Sequence, residues 1–226
     1  MRALLSTLLL LLALNAQAVG LADLSNQDAV SGLKEALSKG ADHAVGTLGK
    51  TDGFLANDAV RIPLPPNLQT IDGLLRRVGM GKQADELIVT MNRAAEAAVP
   101  EAKALLLQAV KDMSVQDAKG ILTGSNTAAT EYFRGKTSAP LTQKFLPIVQ
   151  RATAKVGVAQ KYDQFAGKAA GLGLLDAKQA NLESYITQKT LDGLFVMMAE
   201  EEKAIRKDPV GQTSKLLSTV FGAIGH

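Results

Sequence analysis

Two groups of polar residues lie on predicted helices, where their side chains could carry out acid–base chemistry. The first group centres on Glu202, which comes four residues after Met198 and three before Ile205 and so continues the apolar line of its helix. A carboxylate in this position is either partly buried and paired with a cation or near the end of the covered stripe. Arg206, one helical turn further on, is its expected partner.

The second group consists of Asn92, Arg93 and Glu96. Asn92 and Glu96 lie one turn apart on the same helix face, beside the apolar stripe, and could line a cleft. Arg134 is a further guanidinium that another helix could bring to either group. The full set of candidate site residues is Asn92, Arg93, Glu96, Arg134, Glu202 and Arg206.

These residues support two interpretations. Two carboxylates whose pKa values are pushed apart can act as general acid and general base without histidine, so Glu202 and Glu96 with an arginine could form a hydrolase site. Ordinary helix-surface and helix-joining salt bridges are the alternative explanation, and the residue pattern favours them. The sequence leaves both interpretations open.

Other kinds of active site have little support. The chain has no cysteine, and its two histidines are His43 and His226. No Glu-x-x-His or His-x-x-x-His pattern is present, which disfavours zinc and di-iron sites on helices. Gly79-Met80-Gly81-Lys82 lacks the remaining residues of a phosphate-binding loop. We therefore expect no metal and no cofactor.

The first residues have the features of a cleavable signal peptide. Arg2 precedes an apolar run, Leu4 to Leu14, and Ala16-Gln17-Ala18 provides a small-x-small cleavage site. The run of about 11 residues is too short to span ~30 Å of hydrocarbon as a helix. We expect residues 1–18 to be removed, a mature chain 19–226 without an integral membrane span, and a periplasmic location.

Charge argues against nucleic acid as a partner. The formal net charge is +3, and lysines and arginines are interspersed with aspartates and glutamates rather than gathered in a basic stripe. Tryptophan is absent and aromatic residues make up 4% of the chain. The sequence therefore lacks both an electrostatic and a stacking surface for bases.

The hydrophobic pattern predicts an all-α fold. Apolar residues recur at intervals of three and four, and strand signals are nearly absent. The exception is Ile62-Pro63-Leu64-Pro65-Pro66, which cannot be helix interior because proline lacks an N–H and clashes with the preceding turn. We predict a single-domain multi-helix bundle with one extended proline-rich segment, Phe54 to Pro66, whose Phe54, Leu55, Ile62 and Leu64 pack against the bundle.

Several helix boundaries can be predicted individually. Ser114 and Asp117 form a cap pattern for a short helix. Pro140 is expected to open a helix that Pro147 kinks or divides. The longest helix is expected from about Leu182 to Lys207, and the possible division between two helical halves is Gly135 to Ala139.

Seven short motifs in this sequence resemble a bacterial family of exported proteins catalogued as domain of unknown function 4197. The motifs are Phe54-Leu55, Val60-Arg61-Ile62-Pro63-Leu64-Pro65, Gly79-Met80-Gly81, Met91-Asn92-Arg93-Ala94-Ala95-Glu96, Lys119-Gly120-Ile121-Leu122, Tyr132-Phe133-Arg134 and Ile205-Arg206-Lys207-Asp208-Pro209. The resemblance covers nearly the whole mature chain. It implies a Gram-negative source and an all-helical fold, and it transfers no activity.

The leading interpretation of function is a binding or interaction module. Met80, Met91, Met113, Met197 and Met198 give adaptable apolar surface, which suits an apolar ligand, or a helix of another envelope protein, as the partner. The same methionines also fit ordinary core positions. The alternatives are the hydrolase with paired carboxylates and arginine, and a structural envelope protein without a ligand.

Overall fold

The computed structural model describes residues 26–77, 79, 81–155, 157, 160–161 and 182–207. In these ranges the chain forms helices α1 (Asn26–Leu48), α2 (Pro66–Arg77), α3 (Gly81–Ala98), α4 (Lys103–Lys111), α5 (Val115–Leu122), α6 (Ala128–Lys155) and α7 (Leu182–Lys207), with a 3₁₀ turn at Val99–Ala102 between α3 and α4. None of the described residues is in a strand. The predicted all-α class is confirmed.

Helix α6 differs from the prediction. Pro140 was expected to open a helix and Pro147 to kink or divide one, but both lie inside α6, which is undivided. Each proline removes one backbone N–H and crowds the carbonyl four residues earlier. Both prolines are exposed, so water can solvate the carbonyls that lose their donor, while Phe133, Leu141 and Phe145 anchor the opposite face in the core.

Two further expectations about α6 and α7 are corrected or confirmed by the helix bounds. Gly135 to Ala139 lies within α6 and is not a connection between two helical halves. Helix α7 has the bounds predicted for it, Leu182–Lys207, but with 26 residues it is shorter than the 28-residue α6. The length of α6 was underestimated because prolines usually mark helix boundaries.

The segment between α1 and α2 packs as predicted. Residues 51–60 form successive turns, residues 61–65 have no regular structure, and Pro66 is already the first residue of α2. The side chains of Phe54 and Ile62 are completely buried, and Leu64 is 3% exposed. Leu55 is only half-buried. The proline-rich segment therefore contributes its apolar side chains to the core.

The described helices share one core. Helix α6 packs along α7 and α3, and α1 lies against α7, α4 and α5. Their buried apolar side chains, with those of the segment 49–65, form one cluster. Helix α2 packs mainly against α3 and so lies at the edge of the bundle.

Some sequence predictions lie outside the described residues. These are the signal peptide 1–18, a helix from about Ala159 to Ala170 apart from residues 160–161, and a last helix after Pro209. Within the described ranges, no helix combines the length and apolar character needed to cross a bilayer.

Candidate functional site

Glu202 binds the first turn of α6. One carboxylate oxygen accepts a hydrogen bond from the Ala129 N–H (3.0 Å), and the other accepts bonds from the N–H and hydroxyl of Thr130 (both 2.9 Å). Ala129 and Thr130 are the second and third residues of α6, whose N–H groups have no partner within the helix. A side chain from α7 therefore caps α6 and places negative charge at its positive end.

Arg206 completes this arrangement. Its Nη2 donates to the Glu202 carboxylate at 2.9 Å and to the Ile121 carbonyl at 2.9 Å, and its Nε lies 3.1 Å from the same carboxylate oxygen. Ile121 is in the last turn of α5, where carbonyls lack helical donors. The Glu202–Arg206 pair thus joins the end of α5 to the start of α6, with each charge beside the helix end that favours it.

Asn92 holds the proline-rich segment. Its side-chain oxygen accepts from the Ile62 N–H (2.9 Å), and its Nδ2 donates to the Ile62 carbonyl (2.9 Å) and to the Ile88 carbonyl (2.8 Å). The amide is completely buried. It therefore pairs with the backbone of an extended residue in the way that a neighbouring strand would.

Glu96 and Arg93 hold the turns that precede this segment. One Glu96 oxygen accepts from the N–H groups of Phe54 (3.1 Å) and Leu55 (3.2 Å), and the other accepts from Arg93 at 2.6 Å. The other arm of Arg93 donates to Asp52 at 2.7 Å, and both contacts raise the pKa of Arg93. Asp52 has a positive φ of 68°, so this turn is a strained conformation held by side chains.

The predicted site residues do not converge. Glu96 binds the turn containing Phe54, which packs against Gly193 of α7, and Glu202 lies nine residues, or about 13 Å, further along α7. Arg134 is on an exposed part of α6, 4.8 Å from the centre of the Phe195 ring and 3.8 Å from Asp192. Asn92, Arg93 and Glu96 form one cluster, and Glu202 and Arg206 form another.

The space beside Glu202 is too small for an organic ligand. It lies between α1, α6 and α7, and apolar side chains such as Leu37, Phe133 and Met198 make up most of its lining. Its volume is about 20 Å³, which accommodates roughly one water molecule. Arg93 does not line it. The closed polar pocket expected of a hydrolase is therefore not formed there.

The methionines are mostly core residues. Met91, Met113 and Met198 are 5% exposed or less, and Met113 follows α4 rather than lying on a helix. Met197 is half-buried, with its sulfur 3.6 Å from Asn57 Nδ2. Met80 is outside the described residues. The four described methionines fill the interior and do not form an apolar binding surface.

A larger space, which the sequence did not indicate, lies where α4, the start of α5 and the middle of α6 meet. We call it the α4–α6 groove. Its volume is about 460 Å³, within the range of about 300–1,000 Å³ that is usual for ligand sites, and it is open on one side. The lining residues are Leu105, Gln108, Ala109, Asp112, Asp117, Tyr132, Lys136, Thr137, Pro140 and Leu141.

Polar groups surround the apolar surface of this groove. Lys136 Nζ lies 5.8 Å from the centre of the Tyr132 ring, within cation–π range. Asp117 caps α5 together with Ser114, whose hydroxyl and N–H lower the pKa of the carboxyl group. Asp112 accepts a hydrogen bond from Gln108 at 2.9 Å. The groove thus combines an aromatic face, one cation and two carboxylates.

The sequence could not have predicted this groove. Leu105 and Ala109 lie one turn apart on α4, but the opposite wall comes from Tyr132 and Leu141, more than twenty residues later. Only the packing of α4 against α6 brings them together. No pattern in the sequence indicates that contact.

No group of three or more histidine, cysteine, aspartate or glutamate residues within the described ranges is arranged to hold a metal ion. Glu96 and Glu202, the buried carboxylates, are occupied by backbone N–H groups and arginines. The geometry gives these residues a structural role, in which a fixed anion neutralises helix or turn donors.

The fold and these clusters define an all-helical protein without a recognisable catalytic centre in its described part. The chain belongs to the family described as "Protein of unknown function (DUF4197)", whose model matches residues 23–222. This confirms the resemblance seen in the sequence motifs. No curated protein and no solved structure matched the chain.

Proposed function

We propose that the protein is an exported interaction module of the bacterial cell envelope, and that it binds a helical segment of a partner protein in the α4–α6 groove. The groove is the observation that carries the proposal. It is a concavity with apolar and polar walls that α4, α5 and α6 form together, and Leu105 and Ala109 of α4, with Asp112 directly after it, lie along one helix face. This arrangement suits helix-in-groove recognition.

Export is supported by the first eighteen residues. Arg2, the apolar run Leu4 to Leu14, and the Ala16-Gln17-Ala18 site follow the order of a secretory signal peptide. The absence of cysteine is compatible with an oxidising compartment, because stability then depends on packing and not on the redox state. A periplasmic interaction module fits both features.

The site geometry favours binding over hydrolysis. A hydrolase based on Glu96 and Glu202 needs both carboxylates near one substrate, with one of them free to exchange a proton. Instead the two lie in separate clusters, and each is surrounded by donors from backbone and arginine. Neither carboxylate lines the α4–α6 groove.

The binding proposal can be tested with three synthetic helical peptides. The peptides share one Leu/Ala face and differ in the opposite face, which carries Lys, Glu or Gln. We expect at least one peptide to shift the NMR amide resonances of residues lining the α4–α6 groove. Ala109→Trp fills the groove and should abolish the shifts, whereas Ala154→Trp, at an exposed position further along α6, should not.

Two outcomes of this experiment would contradict the proposal. If none of the three peptides shifts groove resonances, or if Ala109→Trp leaves binding unchanged in a variant that is shown to be folded, the groove is not a helix-binding site. The structural envelope role without a ligand would then be the better interpretation.

A further inference from the structure

The α4–α6 groove is negatively charged around Tyr132. The pKa of Tyr132 is raised, mainly by burial and then by the charges of Asp117 and Asp112. Both carboxylates are therefore close enough to act on the phenol. Lys136 adds one positive charge to this group, and its charge helps to lower the pKa of Asp117. The groups facing the phenol are thus two anions and one flexible cation.

Lys136 already occupies the position that a bound cation would take. Its ammonium lies 5.8 Å from the centre of the Tyr132 ring, and the Lys136 side chain is exposed. A lysine ammonium sits on a flexible four-carbon stem and is easily returned to water. The contact can therefore be exchanged for the cation of a ligand at little cost.

The apolar part of the groove indicates that the ligand has an apolar face beside its cation. Leu105 and Ala109 are half-buried on one wall, and Leu141 is buried on the other. A partner must cover this apolar surface while it places positive charge near Asp112 and Asp117. An amphipathic helix with a basic edge does both, because residues three and four apart share one face.

We propose that the α4–α6 groove binds the basic edge of an amphipathic helix from a partner protein, whose lysine or arginine replaces the Lys136 ammonium over the Tyr132 ring between Asp112 and Asp117. This inference rests on the proposed function and adds the chemical identity of the partner. It makes Lys136 a competitor of the ligand and not a contributor to binding.

The role of Lys136 gives the sharpest test, using the Lys, Glu and Gln peptides described above. Affinities are measured by fluorescence anisotropy with the folded protein. We expect the Lys peptide to bind at least about fivefold more tightly than the Gln peptide, and the Glu peptide to bind most weakly, as complementary charge predicts. Lys136→Met should tighten binding of the Lys peptide by about fivefold because the competing cation–π contact is removed.

Carboxylate variants provide the matched control. Asp112→Asn should lower the affinity for the Lys peptide by about threefold or more, as expected for the loss of one partly exposed ion pair. The affinity for the Gln peptide should not change. Asp58→Asn removes an exposed carboxylate that does not line the groove and should change neither affinity. Raising the salt concentration should lower the affinity for the Lys peptide more than the affinity for the Gln peptide.

Two outcomes would overturn the inference. If Lys136→Met weakens binding of the Lys peptide, Lys136 contributes to binding and does not compete with the ligand for the Tyr132 ring. If the Gln or Glu peptide binds in the groove as tightly as the Lys peptide, the groove binds helices without charge preference, which would leave the proposed function standing. Binding by none of the peptides would overturn both proposals.

Discussion

At the scale of single residues, Glu202 shows how a buried carboxylate can stabilise the fold. Its side chain is 7% exposed, and that of Arg206 is 10% exposed. Burying a charge is costly unless it is paired and hydrogen-bonded. Here the N-terminus of α6 supplies backbone donors and Arg206 of α7 supplies a guanidinium, so the charge is satisfied from two helices.

Glu202→Gln is expected to destabilise the protein by about 3 kcal/mol or more, because it removes the carboxylate that pairs with Arg206 in a poorly solvated place. The new amide NH₂ would also face one of the N–H donors of α6. Chemical denaturation followed by circular dichroism measures the change in the free energy of unfolding. The matched control is Glu200→Gln, a 59% exposed glutamate on the same helix, for which we expect less than about 0.5 kcal/mol.

The pair can be tested by a double-mutant cycle with Arg206→Gln. We expect the double variant to lose clearly less than the sum of the two single losses, since either substitution already breaks the pair. A Glu202→Gln variant with unchanged or increased stability would contradict the structural assignment. It would point to a functional residue that is held at a cost to folding.

Gly193 is a second residue whose type is dictated by its surroundings. A Cβ at this position would lie 2.7 Å from Phe54 Cε1 and 3.2 Å from Val60 Cβ. The glycine lets the Phe54 ring pack directly on the backbone of α7. It thereby joins the turn that Glu96 holds to the helix that carries Glu202.

Gly193→Ala should therefore destabilise the protein by about 1–3 kcal/mol, as overpacking of a core does, although alanine is the better helix former. Gly135→Ala is the matched control, because a Cβ at that position in α6 meets nothing within 4 Å. We expect the control to gain up to about 1 kcal/mol from helix propensity. Thermal unfolding of both variants distinguishes them by sign, and a stabilised Gly193→Ala would show that Phe54 moves freely.

The residue scale also shows what the sequence could and could not predict. The burial of Glu202 and its pairing with Arg206 follow from helical periodicity, because all the positions involved lie within two turns. The partners of Glu96 do not, since the N–H groups of Phe54 and Leu55 are more than forty residues earlier in the chain. Local spacing carries no information about such a contact.

At the scale of elements, the connection between α1 and α2 is fixed by side chains of α3. Asn92 binds both backbone groups of Ile62, and Glu96 binds the N–H groups of the preceding turns. The Tyr185 hydroxyl of α7 donates one hydrogen bond that is shared between the carbonyls of Pro63 (3.1 Å) and Leu64 (3.2 Å). An extended segment that lacks helical hydrogen bonds is thus satisfied by neighbouring helices.

Ile62→Ala tests whether this segment supports the core. Ile62 is completely buried, so the truncation should cost about 2–4 kcal/mol of stability. Arg61→Ala, the exposed neighbour, is the control and should cost less than about 0.5 kcal/mol. Urea denaturation gives both values. A loss for Ile62→Ala as small as that of the control would show that the segment contributes little to the core.

Prolines explain why some elements were predicted correctly and α6 was not. In the segment 62–66 the prolines follow one another closely, and a helix there would lose several hydrogen bonds at once. In α6, Pro140 and Pro147 are two turns apart and both are exposed, so each costs one hydrogen bond that water can replace. The spacing of the prolines can be seen in the sequence, whereas the exposure that lets α6 tolerate its two prolines depends on tertiary packing.

At the scale of the whole molecule, the clusters and the core support each other. Glu202 and Arg206 join α5, α6 and α7, and Asn92, Arg93 and Glu96 join α3 to the turns after α1. The buried apolar side chains of the same elements form one cluster. The α4–α6 groove is left outside both, so substitutions that change its lining can be made without breaking either cluster.

The proposed location also applies to the whole molecule, because a signal peptide is removed before the mature chain folds. The small-x-small site predicts cleavage after Ala18, so intact-mass spectrometry of the periplasmic fraction should find a chain that begins at Val19. Ala18→Arg places a large charged residue at the cleavage site and should leave an uncleaved chain in the membrane fraction. Val30→Ala, within the mature chain, serves as a control and should be processed normally. Recovery of the unaltered protein from the inner membrane with Met1 or Arg2 still attached would contradict the signal peptide and, with it, the proposed periplasmic interaction module.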